Sequence, residues 1–600
     1  MKTFESVAQL KLAKLKDGQQ VTTKGYYTAG DGGNALYLIK TPQSSDGYGD
    51  HELANGNVAV LQGTRTTGNF GCIGATDKQT NWNAFVQSGG GAFNSSFNVE
   101  TFPTALDDGT NTAAIATGSL KVLYVSGEIT GISAGVSNSL IGVDATAGLS
   151  NVSVDINGLV VKGTTRFRAY SATINARLKD ETLSDIKTDS QSIVSSSKVE
   201  RNKTITNNLL GLEVTESTNI SPQISVTSSD DSDSIFSDSQ FVISNNKVWT
   251  GTEAVNSAFF FSSIPSDSVI SENYHYNLGK SLTEGFDIDG IGSRATVINN
   301  HAIYSGFEYK QSSSKGYDNA RDVVFSGNFS FEQINPNSAA FSILSSACAD
   351  NNTAYNPAGW GFFCAGITSN DIGSNENGPI TGAGNKVIYA GNPDFDGALC
   401  LGGSTGKALG NINFDPFDCY IDPVYALNNP GVKIPVSLIQ LVGDSNNIRI
   451  ANGKMAACTS NQILIRADTN CDNIIFENLD HGDTDDACYD LSKVTRLRII
   501  NPRLPDNIGD RPFRMSAVSK SSIVSEEHPN IVNAATSNSG TGFIINGMGI
   551  ESGLATGVPP TATGNIWAVG VTVENPTAPA TLWVRVNSST TPSIAFVQVG

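Results

Sequence analysis

The sequence predicts an all-β protein organised as a right-handed parallel β-helix, a solenoid, with a small N-terminal attachment module and a C-terminal antiparallel β domain. Three observations predict it. First, 600 residues exceed what one ordinary compact core organises, and a solenoid absorbs such length without a chain of separate cores. Second, from about residue 118 to 505 short segments such as LKVLYVSG, SQFVISNNKVW, DSVISENYHY, ATVINNHAIY and DVVFSGNFSF share one shape: an apolar alternating triplet, then Asn or Gly, then another short strand. With Asn246, Asn273, Asn299 and Asn328 as markers the steps are 27, 26 and 29 residues, and Asn452, Asn478 and Asn501 give 26 and 23, which is a coil period. Third, Ala258-Phe259, Gly285-Phe286, Gly306-Phe307, Ala340-Phe341 and Gly361-Phe362 form a second column in phase with the first. Crossovers between parallel strands are overwhelmingly right-handed, hence the expected hand. A β-sandwich array does not require one strand motif at a coil period.

Taken in order, residues 1–70 read as the capping or attachment module. TFESVAQLKLAKLK (3–16) has helical periodicity, and in GYYTAGDGGNALYLIK a Gly-rich turn separates two aromatic, strand-like runs. Residues 71–117 read as a linker and a helical lid for the open end of the solenoid, with Trp82, Phe85 and Val86 on one apolar face and Gly89-Gly90-Gly91 closing it. Residues 118–505 are the coils. Asn at the turns suits them, because it tolerates left-handed backbone angles and hydrogen-bonds the neighbouring turn. Residues 506–600 are rich in Thr, Ser, Gly and Val and end in the alternating segments NIWAVGVTVEN, ATLWVRVN and SIAFVQVG, an antiparallel β domain.

Composition narrows the function. A hydrophobic fraction of 39% excludes wholesale disorder, and 38 Lys+Arg against 57 Asp+Glu, a net charge of −19, argues against nucleic acid, whose phosphates need clustered cations. No apolar run approaches the roughly 18 residues that cross a bilayer, so no membrane insertion is expected. The N-terminus scatters Lys and Glu where a signal peptide keeps an apolar core, which points to assembly in a cytoplasm. Eight Cys without a CxxC pair read as buried free thiols rather than disulfides or a zinc site, and no cofactor is implied.

FESVAQLKLAKLKDGQQVTTKGYYTAGDGGNALYLIK, the segment FGCIGATDKQTNWNAFVQSGG before a first rung KVLYVSGEI, and the stacked rungs together resemble the bacteriophage tailspikes, trimeric β-helical adhesins and depolymerases of virus tails. The resemblance covers most of the chain, and GYYTAGDGGNALY carries it most specifically. It implies attachment to phage tail or baseplate proteins through the N-terminal module, binding and usually cleavage of a bacterial surface polysaccharide, capsule or O-antigen, by the coils, and a homotrimer. The expected location is the virion, acting extracellularly at the bacterial surface. The lid segment GCIGATDKQT departs from the Gly-Ala-x-x-Asp-Gly pattern usual in the family.

Glycoside hydrolysis needs one protonated and one ionised carboxyl group. In GFDID, alternation puts Phe286 and Ile288 inside the coil and Asp287 and Asp289 outside; in GFEYK it puts Phe307 and Tyr309 inside and Glu308 and Lys310 outside. Asp287, Asp289 and Glu308 are the expected catalytic carboxylates, with a solvated acidic face as the bland reading. Tyr304, Trp249 and Trp360, with Tyr274, His275 and Tyr276 in a preceding loop, supply rings for the apolar faces of sugars, and Lys310 or Arg321 would pair with an acidic sugar. Each ring taken alone is as well explained by packing, and His275 and His301 read as structural. A non-catalytic adhesin of the same fold, a polysaccharide lyase and a deacetylase are the alternatives. For the last, Gly443-Asp444-Ser445 matches an esterase nucleophile box, but no Asp-x-x-His follows. Gly402 to Lys407 lacks phosphate-loop spacing, and the acidic runs 230–233 and 480–486 lack the pattern of a calcium loop.

Overall fold

The computed structural model describes residues 1–72, 81, 84–85, 88–93, 122–132, 139–143, 153–163, 168–172, 177–228, 239–253, 257–282, 284–310, 322–365, 379–402, 409–442, 445–466, 471–509, 512–524, 544–545, 548–549, 572–574, 582–585 and 596–599. It is a parallel β-helix in two units that part after Ala302.

The first unit opens with a five-stranded sheet formed by Lys2–Phe4, Gln20–Thr23, Ala35–Lys40, Val58–Gln62 and His51–Glu52. The helix expected over 3–16 is confined to Val7–Lys11, capped by the Ser6 side chain; the residues before it, Lys2–Phe4, pair with Val21–Thr23 instead. The GYYTAGDGG turn is built on one carboxylate. Asp31 accepts from the backbone N–H groups of Tyr26 (3.0 Å), Gly33 (2.9 Å), Tyr27 (2.8 Å) and Thr28 (2.9 Å). Burial works to raise this carboxyl, but the four donors prevail and hold it below its ordinary value. Of the helical lid, Phe85 is buried and stacks edge-on to Phe70 at 5.6 Å, while Trp82 and Val86 lie outside the described residues.

Each complete coil then supplies three strands. In the first unit one coil runs Ser257–Ile264, Val269–Ser271, Tyr274–Asn277, and the next begins Glu284–Ile291, Thr296–Ile298. Each pairs in parallel with its counterpart one coil on, with Phe259 opposite Phe286, Ile270 opposite Val297 and Trp249 opposite Tyr276. The expected Phe column is the inner wall: Phe259 and Phe286 stack at 4.6 Å and 2°. In the second unit Phe307, Phe341 and Phe362 continue in the same manner at 5.1 Å and 4.9 Å. All five are at most 2% exposed, the state in which a side chain of that size contributes about 1.5–3 kcal/mol.

The Asn column is the bend between the second and third strands. In the first unit Asn208, Asn246, Asn273 and Asn300 are fully buried, each Nδ2 donating to the next Oδ1 at 2.8–2.9 Å. Each Oδ1 also accepts the preceding ladder member's backbone N–H at 3.1 Å. The residue before each Asn holds φ near +55°: Asn207, Asn245, Glu272 and Asn299. The marker Asn299 is therefore displaced by one, since it occupies the left-handed position and Asn300 the ladder. Asn452, Asn478 and Asn501 likewise have positive φ, and Asn478 donates to Asn452 on the exposed side of the bend. In the second unit Asn328, Asn352 and Asn385 form a buried ladder at 3.0 and 3.1 Å, which ends where Asn385 faces Phe417. Near the C-terminus Thr572–Glu574, Leu582–Arg585 and Phe596–Val599 form an antiparallel sheet, as the alternation predicts.

All eight cysteines are free and only Cys348 is not buried. Among the described residues, no helix is long and apolar enough to cross a membrane.

Replacing Asn273 with Ala removes bonds on both sides of one rung and leaves buried donors on Asn246. Chemical unfolding of Asn273→Ala is expected to show a loss of about 1–3 kcal/mol, against little change for exposed Asn337→Ala.

Candidate functional site

In the first unit, Asp287 and Asp289 lie on Glu284–Ile291, with Phe286 and Ile288 turned into the core between them. Their coil-below register partners are Phe260 and Ser262. Asp287, expected on the outer side of the coil, is only 8% exposed, with Phe260 as its register partner in the coil below. Asp289 is half-buried. Two residues along a strand place their backbones roughly 6.7 Å apart on one face.

Trp249, Tyr274 and Tyr276 lie on a different strand of the coil, the third, so no strand pairing brings them beside the Asp pair. Tyr274 to Tyr276 form a strand, not the expected loop, because the left-handed Glu272 and the buried Asn273 complete the bend just before them. At least one face of each ring is already occupied. Trp249 stacks on Tyr276 at 5.3 Å and 9°, and Tyr274 on His301 at 4.5 Å and 9°, with the Lys247 ammonium 5.5 Å from the Tyr274 centroid. A column that stacks ring on ring along the coils presents mainly edges outward, so the stack favours a structural role for Trp249 over the flat sugar platform expected from the sequence. His275 points inward, fully buried, and its Nε2 lies 2.9 Å from the Thr250 hydroxyl. Burial pushes it down to about 3, so it stays neutral, and it is structural as expected.

In the second unit, Glu308 and Lys310 project from Phe307–Lys310 and pair with each other at 2.7 Å, both partly exposed. Lys310 is thus engaged by Glu308 rather than standing free for an acidic sugar. Tyr304 occupies the bend before that strand with φ +59°, edge-on to Phe331 at 6.1 Å. Trp360 packs against Gly397, where an added Cβ would lie 2.3 Å from its ring. Arg321 lies outside the described residues.

Sequence reasoning did not find Asp422, a carboxylate beside Tyr355 of the second unit. Burial first, then Asp422 and Glu332, raise the Tyr355 hydroxyl. Asp422 caps the helix Pro423–Asn428, and Glu332 N–H donates to the Tyr355 carbonyl at 2.7 Å. The signal for Asp422 was legible as Asp-Pro before a helical run; Glu332 occupies a left-handed bend.

The weaker motifs resolve individually. Ser445 begins the strand Ser445–Ala451 with its hydroxyl buried, unsuited to a nucleophile, while Gly443 and Asp444 lie outside the described residues. So do 403–408 and 230–233. In the run 480–486, Asp483 accepts from Asn507, Asp485 pairs with Lys433, and Asp486 with Arg514, so three of its carboxylates already have protein donors. Among the described residues no group of His, Cys, Asp and Glu is arranged to hold a metal ion.

These features define a β-helical solenoid with carboxylates on the outer face of its first-strand sheet. No family model matches the chain, and no curated protein does. Among solved structures it is similar to Pantoea stewartii WceF, described as a glycan biofilm modifying enzyme with a bacteriophage tailspike-like parallel β-helix fold, at 12% identity and TM-score 0.27. That match covers 70% of this chain and 49% of the other, so the chain spans about half the length of WceF. It is also similar to the tailspike of Escherichia coli bacteriophage HK620, solved with a hexasaccharide, at 10% identity and TM-score 0.35 over 84% of this chain and 83% of that one. A third is tailspike gp49 of Acinetobacter baumannii bacteriophage Fri1, a capsular polysaccharide depolymerase, at 11% identity and TM-score 0.17 over 97% and 81%.

Two outcomes follow from this geometry. Trp249→Ala is expected to cost about 0.5–1.5 kcal/mol of stability while leaving oligosaccharide affinity unchanged in calorimetry, because the ring face is spent on Tyr276. Burial depresses His51 to about 4 and His275 and His481 to about 3, from the ordinary 6.5. Their neutral forms favour the fold, so stability is full above pH 6.5 and is lost as pH falls from there toward 3. Calorimetric melting from pH 7 to 4 is expected to show this decline, with a shallower slope for His275→Gln.

Proposed function

We propose that the protein is a tailspike-type depolymerase that binds and endo-cleaves a bacterial surface polysaccharide by glycoside hydrolysis. The single observation that carries this reading is the Asp287 and Asp289 pair, two carboxylates on one face of one strand with unlike exposure. Backbones roughly 6.7 Å apart on one face allow the two carboxyl groups to take the separation of about 6.5–9.5 Å that leaves room for water between acid and base in inverting hydrolysis.

In this mechanism the covered Asp287 carboxyl gives its proton to the glycosidic oxygen as the bond to the anomeric carbon breaks. The half-exposed Asp289 carboxylate takes a proton from the water that attacks the opposite face. The new hemiacetal carries the inverted configuration. Glu308, held beside the Lys310 ammonium, is a separate candidate in the second unit. Tyr304, Lys310, Arg321 and Trp360 remain the proposed glycan contacts by sequence. The sequence resemblance adds attachment to tail proteins through the N-terminal module and assembly as a homotrimer.

The test is product release from purified capsule or O-antigen. Asp287→Asn and Asp289→Asn are each expected to fold, to keep glycan affinity, and to lose a factor of about 10² to 10⁴ in rate; the wild type should release the inverted anomer by NMR. Glu308→Gln is run beside them. Near-normal turnover in both Asp variants removes this pair from the site. Binding without any chain shortening identifies an adhesin, and new absorbance from an unsaturated product identifies a lyase.

A further inference from the structure

The interior of the first unit contains one feature that neither the solenoid pattern nor the proposed chemistry uses. Glu181 and Lys203 are both fully buried, directly opposite each other on the neighbouring strands Arg177–Ser184 and Lys198–Thr206. The inward residues around them, Leu178, Leu183, Val199 and Ile205, are buried and apolar. The carboxylate and ammonium stand 3.7 Å apart, and the next coil encloses them with hydrogen bonds. Ser195 and Ser197 hydroxyls donate to the two Glu181 oxygens, and Lys203 Nζ donates to Ser195 Oγ at 2.8 Å and to the Ser197 carbonyl at 2.9 Å. On the far side, Lys203 Nζ sits 4.8 Å from the centroid of Phe241, its register partner one coil further on.

The location is informative. The register between these strands shifts immediately before the pair: Leu178 faces Val199, but Asp180 faces Asn202, so one strand carries an extra residue. A bulge of this kind re-aims every side chain after it, and a slip by one residue turns the inward set outward. Apolar neighbours discriminate poorly between such alignments, because one aliphatic residue replaces another at small cost. A buried ion pair discriminates strongly: a slip of one or two residues separates the charges by roughly 3.3–6.7 Å along the strand and leaves each one buried without its partner.

We infer that Glu181 and Lys203 form a register lock that selects one alignment of the coils after the bulge, and that their role is specificity of folding rather than net stability. The charged pair ties three successive coils: Glu181 in one, Ser195, Ser197 and Lys203 in the next, Phe241 in the third.

The experiment reads register directly in the full-length chain. Thr182 and Thr204 are half-buried register partners one position beyond the pair, and neighbouring parallel strands about 4.8 Å apart suit a disulfide. Thr182→Cys with Thr204→Cys is refolded under oxidising conditions and the 182–204 link is counted by peptide mass spectrometry, together with the melting temperature. With Glu181 and Lys203 intact, the native link should dominate. Adding Glu181→Leu with Lys203→Met should leave melting at or above the original temperature while cutting the native link about threefold or more in favour of shifted links. Glu181→Gln with Lys203→Met, which removes both charges but keeps a polar partner for Ser195 and Ser197, should lose the link in the same way. Ser195→Ala with Ser197→Ala should do the reverse, lowering the melting temperature with the link retained. An unchanged native link in both charge-free pairs overturns the lock, and so does equal loss of the link in the serine variant, which would mark ordinary core damage.

Discussion

The architecture depends on one constraint, the sharp bend between the second and third strands of every coil. A chain can turn there only if one residue adopts left-handed angles and the polar groups exposed by the turn find partners in a dry interior. The first requirement falls on Asn207, Asn245, Glu272 and Asn299; the second is met by the asparagine that follows each, whose amide both donates to and accepts from the coils on either side. An amide does both in a repeating column with separate atoms, an NH2 group that donates and an oxygen that accepts. Because each bend is bonded to the next, the coils are held at a common orientation, and the inward Phe residues stack with near-parallel rings rather than filling space at random.

That order sets what the outer surface can do. Side chains at equivalent positions repeat at the strand spacing, so like groups meet face to face. On the third strand this sets aromatic faces against each other, so that Trp249 and Tyr276 form a stabilising pair. On the first strand it does the opposite. Asp287 and Asp289 follow coils that carry Phe260 and Ser262 at the same positions, which shields one carboxyl and leaves the other nearer water. The same regularity makes register fragile wherever a bulge interrupts it, and there the fold departs from its apolar pattern by burying a lysine and a glutamate together.

The sequence by itself determined the coil period, the Phe wall and the principle of the Asn bend, because each depends on residue type and spacing along the chain. It also determined the alternation that places Phe286, Ile288, Phe307 and Tyr309 inside. Tertiary structure alone decided the rest. Whether Asn299 or Asn300 enters the ladder is a difference of one residue with identical chemistry, settled only by which amide reaches Asn273. Whether Tyr274 and Tyr276 offer faces or edges depends on the rings one coil away, and whether Lys310 is free depends on the rotamers that bring it to Glu308. The burial of Asp287, and the meeting of Glu181 with Lys203 across a bulge, likewise come from neighbours distant in sequence. Periodicity fixes direction, inward or outward; contact with the adjacent coil fixes environment, and environment is what turns a carboxylate or a ring into a functional group.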